Sequence, residues 1–319
     1  MQMLVKMVMT LSIFAGFGAC KADINSMNGE DNRSQIYAGK VLRDLPYGSH
    51  ALQKLDVLFP TNYSSKSPLV FLIHGGAFVA GTKEDFSRPA HIFKDKGFVV
   101  INISHRLADT TGMYGFPPSH KRSTITIWDQ VADVDAAVQL VLDSASNWAA
   151  DTSQLFMAGH SAGGTLALLY CHGKYNAAGH LKACGNWAGV TDLTIPDDRL
   201  AAMVQPYVRE LLYRVAGADP LERNNNAFRK VSPYWVISDS SHVVPTISIY
   251  PEQNFVFHYP GESQMGLNNT RLFHELLRKR NIPEKLSVYK GSNHSFNFSE
   301  QVWDKLISET ATFFMSANR

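Results

Sequence analysis

Cysteine is scarce: only Cys20, Cys171 and Cys184 occur among 319 residues. An oxidising compartment would permit Cys171 and Cys184 to pair, but no cysteine framework surrounds them. Two buried thiols acting as small hydrophobes is the simpler expectation. An excess of charge of either sign is missing too. The 30 Lys and Arg nearly balance the 28 Asp and Glu, leaving a net +2, and the longest basic block is "RKR" (278–280). That excludes a partner held by bulk charge, such as a nucleic acid. No apolar run is long enough to span a membrane comfortably. Neither a metal-ligand spacing nor a phosphate-binding loop occurs, so no metal and no cofactor are expected. Internal repeats and low-complexity segments are absent as well.

What is present is ordinary for a globular protein, with 45% hydrophobic and 18% charged residues and length for one large α/β domain. The N-terminus, "MQMLVKMVMTLSIFAGFGAC", has Lys6 as a basic start, a short apolar stretch (7–19) and small residues before Cys20. This is the pattern of an export signal over 1–20, and it is similar to the lipobox of bacterial lipoproteins, which implies lipidation of Cys20. A plain secretory signal is the alternative. In either case the mature chain is exported, to a bacterial cell envelope if lipidated and otherwise to the periplasm or medium. Residues 21–35 then form a polar tether, and 36–319 form the folded domain.

That domain alternates strand-like and helix-like runs. "KVLRDLPYG" and "LQKLDVLFP" form an antiparallel pair. "PLVFLIH" (68–74), "FVVINISH" (98–105), "QLFMAG" (154–159), "CGNWAGV" (184–190), "TISIY" (246–250) and "KLSVYK" (285–290) follow as strands. Helices fall between them, including 127–145 with an apolar stripe at Val131, Val134, Ala137, Val138, Val141 and Leu142, one at 267–280, and one at 299–316. This order predicts a mostly parallel sheet covered by helices on both faces, with chemistry beyond the C-terminal strand ends.

Two motifs lie at those ends. Gly159-His160-Ser161-Ala162-Gly163 fits G-x-S-x-G between a strand and a helix. A serine on so sharp a turn needs small neighbours. "HGGAF" (74–78) follows the strand some 85 residues earlier, and its glycines expose backbone N–H groups that can hold an oxyanion. Together these resemble the α/β-hydrolase superfamily, in the esterase branch similar to hormone-sensitive lipase, with kynurenine formamidases close by. The resemblance extends over about residues 37–316, and includes "LDVLFP" and "SHRLA". It implies an α/β-hydrolase fold, Ser161 as nucleophile, and Gly75, Gly76 and Ala162 as oxyanion donors.

The base must follow in chain order. His294, in the polar loop "KGSNHSF" after the last strand, fits better than His258 or His274. The acid has several candidates. "PTISIYPEQNF" is similar to a family pattern whose aspartate position falls on Asn254, whereas counting back from His294 without gaps reaches Glu262. The two counts differ by eight residues, which places an insertion in this loop. Glu252 is preferred as the acid because its longer side chain lies on the same strand face as Asn254. Glu262, Asn254 and Asp192 are the alternatives, and Asp192 also reads as a helix cap.

The long insert at about 193–242 carries an amphipathic run (199–217) that Pro206 interrupts. It could pack on the core as a surface helix, or cap the pocket. Phe78, His160, Tyr207 and Leu211 are the expected pocket residues, with Met203 and Leu212 beside them. The resulting expectation is a serine hydrolase for small neutral or short-acyl esters. An amide hydrolase such as an arylformamidase, or a degenerate hydrolase serving as a surface binding module, are the alternatives. The oligomeric state is not legible.

Overall fold

A computed structural model describes residues 32–115, 117–194, 204–218 and 225–317. The export signal, Cys20 and Met203 lie outside them. So does most of the tether, whose last residues instead open helix α1 (Asn32–Tyr37).

Eight strands form one sheet: β1 (Val41–Pro46), β2 (Lys54–Leu58), β3 (Leu69–Ile73), β4 (Val99–Ile103), β5 (Leu155–His160), β6 (Leu181–Trp187), β7 (Thr246–Gln253) and β8 (Glu284–Asn293). Their spatial order is β1-β2-β4-β3-β5-β6-β7-β8. The β1–β2 and β2–β4 pairs are antiparallel, and all others are parallel. The helices are α2 (Ser87–Asp95), α3 (Ile127–Trp148), α4 (Ala162–His172), α5 (Pro206–Ala216), α6 (Asn225–Lys230), α7 (Pro233–Asp239), α8 (Glu262–Lys279) and α9 (Glu300–Ala317).

The continuous apolar runs explain the layering. Successive strand side chains point to opposite faces. Leu69, Phe71 and Ile73 of β3 enter one core with α3, α4 and α8, while Val70 and Leu72 enter the other with α2 and α9. β4 and β5 divide the same way, so both faces of the sheet are dry and need helices over them. Helix α4 carries apolar residues all round and is buried along its whole length. Helix α3 opens with a capping box, in which Thr126 and Asp129 satisfy one another's backbone N–H.

Several boundaries differ from the sequence reading, among them three with a clear physical reason. β6 starts three residues earlier than expected, and Trp187, at its end, is fully buried. Helix α8 starts at Glu262 rather than 267, because its two glycines serve the helix and not a turn. Gly261 is the N-cap with φ +81°, and a Cβ on Gly266 would lie 2.3 Å from the Tyr250 hydroxyl. Pro206 begins α5 instead of interrupting a helix, at the first position where its missing N–H costs nothing. Cys171 and Cys184 are buried free thiols.

Candidate active site

Strand register brings the motifs together. Ile73 pairs with Gly159 across β3 and β5, so two residues further on Gly75 faces Ser161. A Cβ on Gly75 would stand 3.2 Å from Ser161 Cβ. Gln253 likewise pairs with Asn293 across β7 and β8, so the next residues, Asn254 and His294, emerge side by side.

Ser161 sits at φ +55°, ψ −123° as the N-cap of α4. A non-glycine residue rarely adopts this backbone, and the surroundings must hold it there. The Ser161 N–H donates to Trp187 O (2.8 Å). Gly159 and Gly163 allow the chain to close beneath it: a Cβ on Gly163 would lie 2.2 Å from Ile73 O, and one on Gly159 would lie 2.3 Å from Gly163 O. The Ala162 N–H is the first of helix α4, where amides have no intrahelical acceptor.

The Ser161 hydroxyl donates to His294 Nε2 at 2.9 Å. On the other side of the ring, Nδ1–H donates to Asn254 Oδ1 at 2.5 Å. Burial, and then the neighbouring His160, push the His294 imidazole down to about 3. A neutral amide behind the ring adds no opposing charge.

Asn254, not Glu252, therefore backs the His294 ring. The reason lies in β8, which carries extra residues between Tyr289 and Asn293 that β7 does not match. Gly291, at φ +70°, turns this bulge, and the Glu252 carboxylate accepts its N–H at 2.9 Å. Glu252 fastens the bulge and is exposed. Glu262 is buried and folds the loop onto helix α8, because its Oε1 accepts the N–H groups of Val256 and Phe257, each at 2.9 Å. Asp192 is held in a turn by Thr194 N–H and Oγ–H, at 2.9 and 2.7 Å.

The HGGAF loop is bound at several points. The buried His74 Nδ1–H donates to Gly75 O (2.7 Å), and its ring stacks on that of buried His105, centroids 4.4 Å apart. Burial lowers the pKa of both, His105 to about 3. Gln130 Nε2–H and Ala108 N–H both donate to Phe78 O, at 2.7 and 3.0 Å. Gly76 has φ +120°, and a Cβ there would lie 2.0 Å from Ala80 O.

A cavity of about 130 Å³ opens beside Ser161, with Ala77, Phe78, Ala162 and His294 on its walls. Helix α5 supplies Val208, Leu211 and Leu212, and the β7–α8 loop supplies Val256 and Phe257. The expected Phe78 and Leu211 are therefore here, but two other expected pocket residues are not. Tyr207 is on the outer side of α5, half exposed and 5.8 Å from the Tyr114 ring. His160 lies beneath the pair, where its Nε2–H donates to the His294 carbonyl at 2.8 Å. Helix α5 is fixed by a buried ion pair: Arg214 Nε donates to Glu210 at 2.7 Å, and the guanidinium also reaches the carbonyls of Asp109 and Ser119, both at 2.8 Å. Among the described residues, no cluster of His, Cys, Asp or Glu could hold a metal.

Fold and motif geometry define an α/β hydrolase with a serine at its nucleophile turn. Residues 55–249, more than half of the chain, match the family model BD-FAE, and the chain belongs to that family. It is 23% identical over 298 residues to a probable isoprenylcysteine alpha-carbonyl methylesterase of Oryza sativa subsp. japonica, covering 89% of this chain and 64% of the relative. It is 27% identical over 176 residues to the kynurenine formamidase of Salmo salar, covering 54% and 53% of the two chains. The chain thus spans less than two thirds of either relative. A Thermogutta terrifontis esterase, Est2, superposes with TM-score 0.63 at 19% identity, covering 88% of this chain and 92% of that one. A truncated carbohydrate esterase from gut microbiota superposes with TM-score 0.64 at 17% identity, covering 88% and 97%.

Proposed function

We propose that the protein hydrolyses carboxylic esters through an acyl-enzyme on Ser161. The contact that carries this reading is the 2.9 Å hydrogen bond from the Ser161 hydroxyl to His294 Nε2. A serine hydroxyl attacks a carbonyl only when a base takes its proton in the same step. In this reading Ser161 Oγ bonds to the carbonyl carbon while His294 Nε2 takes the proton, and the carbonyl electrons move onto oxygen. The amides of Gly75, Gly76 and Ala162 hold that oxyanion. The imidazolium then protonates the leaving alkoxide oxygen as the C–O bond breaks. Water, deprotonated by Nε2, attacks the acyl carbon and releases the acid, and the proton returns to Ser161. Asn254 orients the ring throughout without becoming charged.

The small apolar cavity favours a neutral, short acyl chain. A serine-directed fluorophosphonate, followed by peptide mapping, tests the reading: an adduct on Ser161 and none in Ser161→Ala is the expected result, and an unlabelled Ser161 defeats it. The formamidase relative makes N-formylkynurenine the substrate to set against short p-nitrophenyl esters, and faster turnover of the formamide would move the chain to amide hydrolysis. No turnover of any activated ester would favour the binding-module alternative. Export and lipidation of Cys20 are part of the proposal, supported by the N-terminal sequence alone. Incorporation of a labelled fatty acid in a bacterial host, lost in Cys20→Ser, would test them.

A further inference from the structure

A second opening lies on the other side of the HGGAF loop. Gly75 and Gly76 line this groove together with Ser295 and Phe298, just beyond His294, and with Trp303, while Asp85 and Arg88 are its charged lining residues. The proposed acyl transfer suggests what this groove receives. The oxyanion must face the glycine amides, and the leaving oxygen must face His294 Nε2 to receive its proton. A group attached to the leaving oxygen is then directed toward His294, whose neighbour Ser295 lines this groove.

Phe298 is the unusual feature of that exit. It is 80% exposed. It is also the last of three consecutive residues with left-handed backbone, Phe296, Asn297 and Phe298, with φ of +51°, +59° and +49°. Each such residue costs on the order of 1–2 kcal/mol unless glycine. The first two offset that cost within the fold. Phe296 is completely buried, and the Asn297 side chain accepts from Asn293 N–H (3.0 Å) and donates to Gly291 O (3.3 Å). The Phe298 ring returns nothing comparable to folding, since an exposed apolar side chain gains no burial energy. It projects instead at the rim of the groove.

We propose that this groove is the alcohol subsite, and that Phe298 is a platform for leaving alcohols with a flat or cyclic apolar body. The inference rests on the esterase reading of Ser161 and adds which side of the ester goes where: acyl chain to the cavity under α5, alcohol to the groove. Ring stacking on Phe298 would stabilise the bound ester through a part of the substrate remote from the carbonyl.

The test separates the two sides. Hydrolysis of ethyl butyrate and 2-phenylethyl butyrate, followed in a pH-stat, varies the alcohol at nearly constant leaving-group basicity. Ethyl esters from acetate to octanoate vary the acyl chain. The native enzyme should favour the phenylethyl ester at least tenfold in kcat/KM. Phe298→Ala should lose at least fivefold of that preference, mainly in KM, while Phe298→Tyr retains it. The acyl-length ranking and Tm should be the same in all three. A native enzyme that turns over ethyl butyrate without preferring the phenylethyl ester overturns the groove, as does an unchanged preference in Phe298→Ala. A lowered Tm in Phe298→Ala with equal losses on both esters would make Phe298 structural, and also overturns it. Failure of the esterase reading looks different: no ester is cleaved and Ser161 takes no fluorophosphonate.

Discussion

Asn254 Oδ1 stands 2.5 Å from His294 Nδ1, in the position from which a carboxylate would usually stabilise the imidazolium of a serine hydrolase. The amide can choose the ring's tautomer and hold its orientation, but it contributes no negative charge to a protonated ring.

Asn254→Asp is therefore expected to raise kcat/KM for short esters by about tenfold or more, since the imidazolium gains a charge partner. Asn254→Ala, which removes the orienting contact, should lower it by a similar factor. Steady-state kinetics on p-nitrophenyl acetate check both, and an unchanged rate in Asn254→Asp would count against a base held by residue 254.

The pH profile should move with that change. The proposed mechanism needs neutral His294, whose pKa burial pushes down to about 3. The native enzyme should therefore keep its activity below pH 6.5, the ordinary imidazole value, into the acid range. Adding a carboxylate raises the imidazole pKa, so the acid limb of Asn254→Asp should lie at higher pH than that of the native enzyme. Profiles of kcat/KM from pH 4 to 8 read this directly.

Stability should fall in acid. His105, His172 and His294 are each lowered from 6.5 to about 3, chiefly by burial. Their folded-state pKa values lie below the unfolded ones, so their contribution is fully present above pH 6.5. Below it the unfolded chain binds protons that the folded chain refuses. Each such group then costs about 1.4 kcal/mol per pH unit until the folded pKa is reached. A Tm that drops steadily from pH 6.5 toward 4 is expected in calorimetry, and a flat Tm would refute the neutral buried state.

Helix α5 should depend on its buried pair. Glu210 and Arg214 are almost wholly buried and 2.7 Å apart. Glu210→Ala leaves the guanidinium without its carboxylate, and breaking such a pair costs about 3–5 kcal/mol. Since α5 walls the cavity, KM for short-acyl esters should rise in that variant more than kcat falls. Denaturant unfolding and steady-state kinetics together check this.

The nucleophile turn should tolerate no methyl group at Gly163. A Cβ would stand 2.2 Å from one backbone carbonyl oxygen and 2.4 Å from another, those of Ile73 and His74. Neither can retreat without moving β3, so Gly163→Ala should cost about 3 kcal/mol and most of the activity. Equal native and variant Tm values would contradict the packing described.

Much of this molecule was readable in one dimension because its signals are local. The apolar runs of β3, β4 and β5 announce strands buried on both faces, and "AGHSAGG" carries the glycines that only a tight strand-to-helix turn requires. The backing residue of His294 was harder to read, because the deciding feature is a bulge on another strand. Nothing near Glu252 in sequence shows that Gly291 will present an N–H to it. The position directly after β7 did point to Asn254, but a carboxylate two residues away was the better chemical choice. The start of α8 was hidden for a similar reason: Gly266 looks like a turn until the Tyr250 hydroxyl is placed against it. The contact from His160 to the His294 carbonyl spans 134 residues of chain and has no local trace.

The hydrogen bond from His74 to Gly75 O reaches further than the two residues it joins. A trans peptide is a rigid plate with its carbonyl and its N–H on opposite edges. By gripping the carbonyl edge of the Gly75–Gly76 plate, the His74 ring also sets the direction of the Gly76 N–H on the other edge. Gly81 makes room for this contact, since a Cβ there would lie 2.5 Å from the same oxygen and 2.6 Å from His74 Nδ1. In the proposed reaction this contact aims the Gly76 donor before an ester arrives.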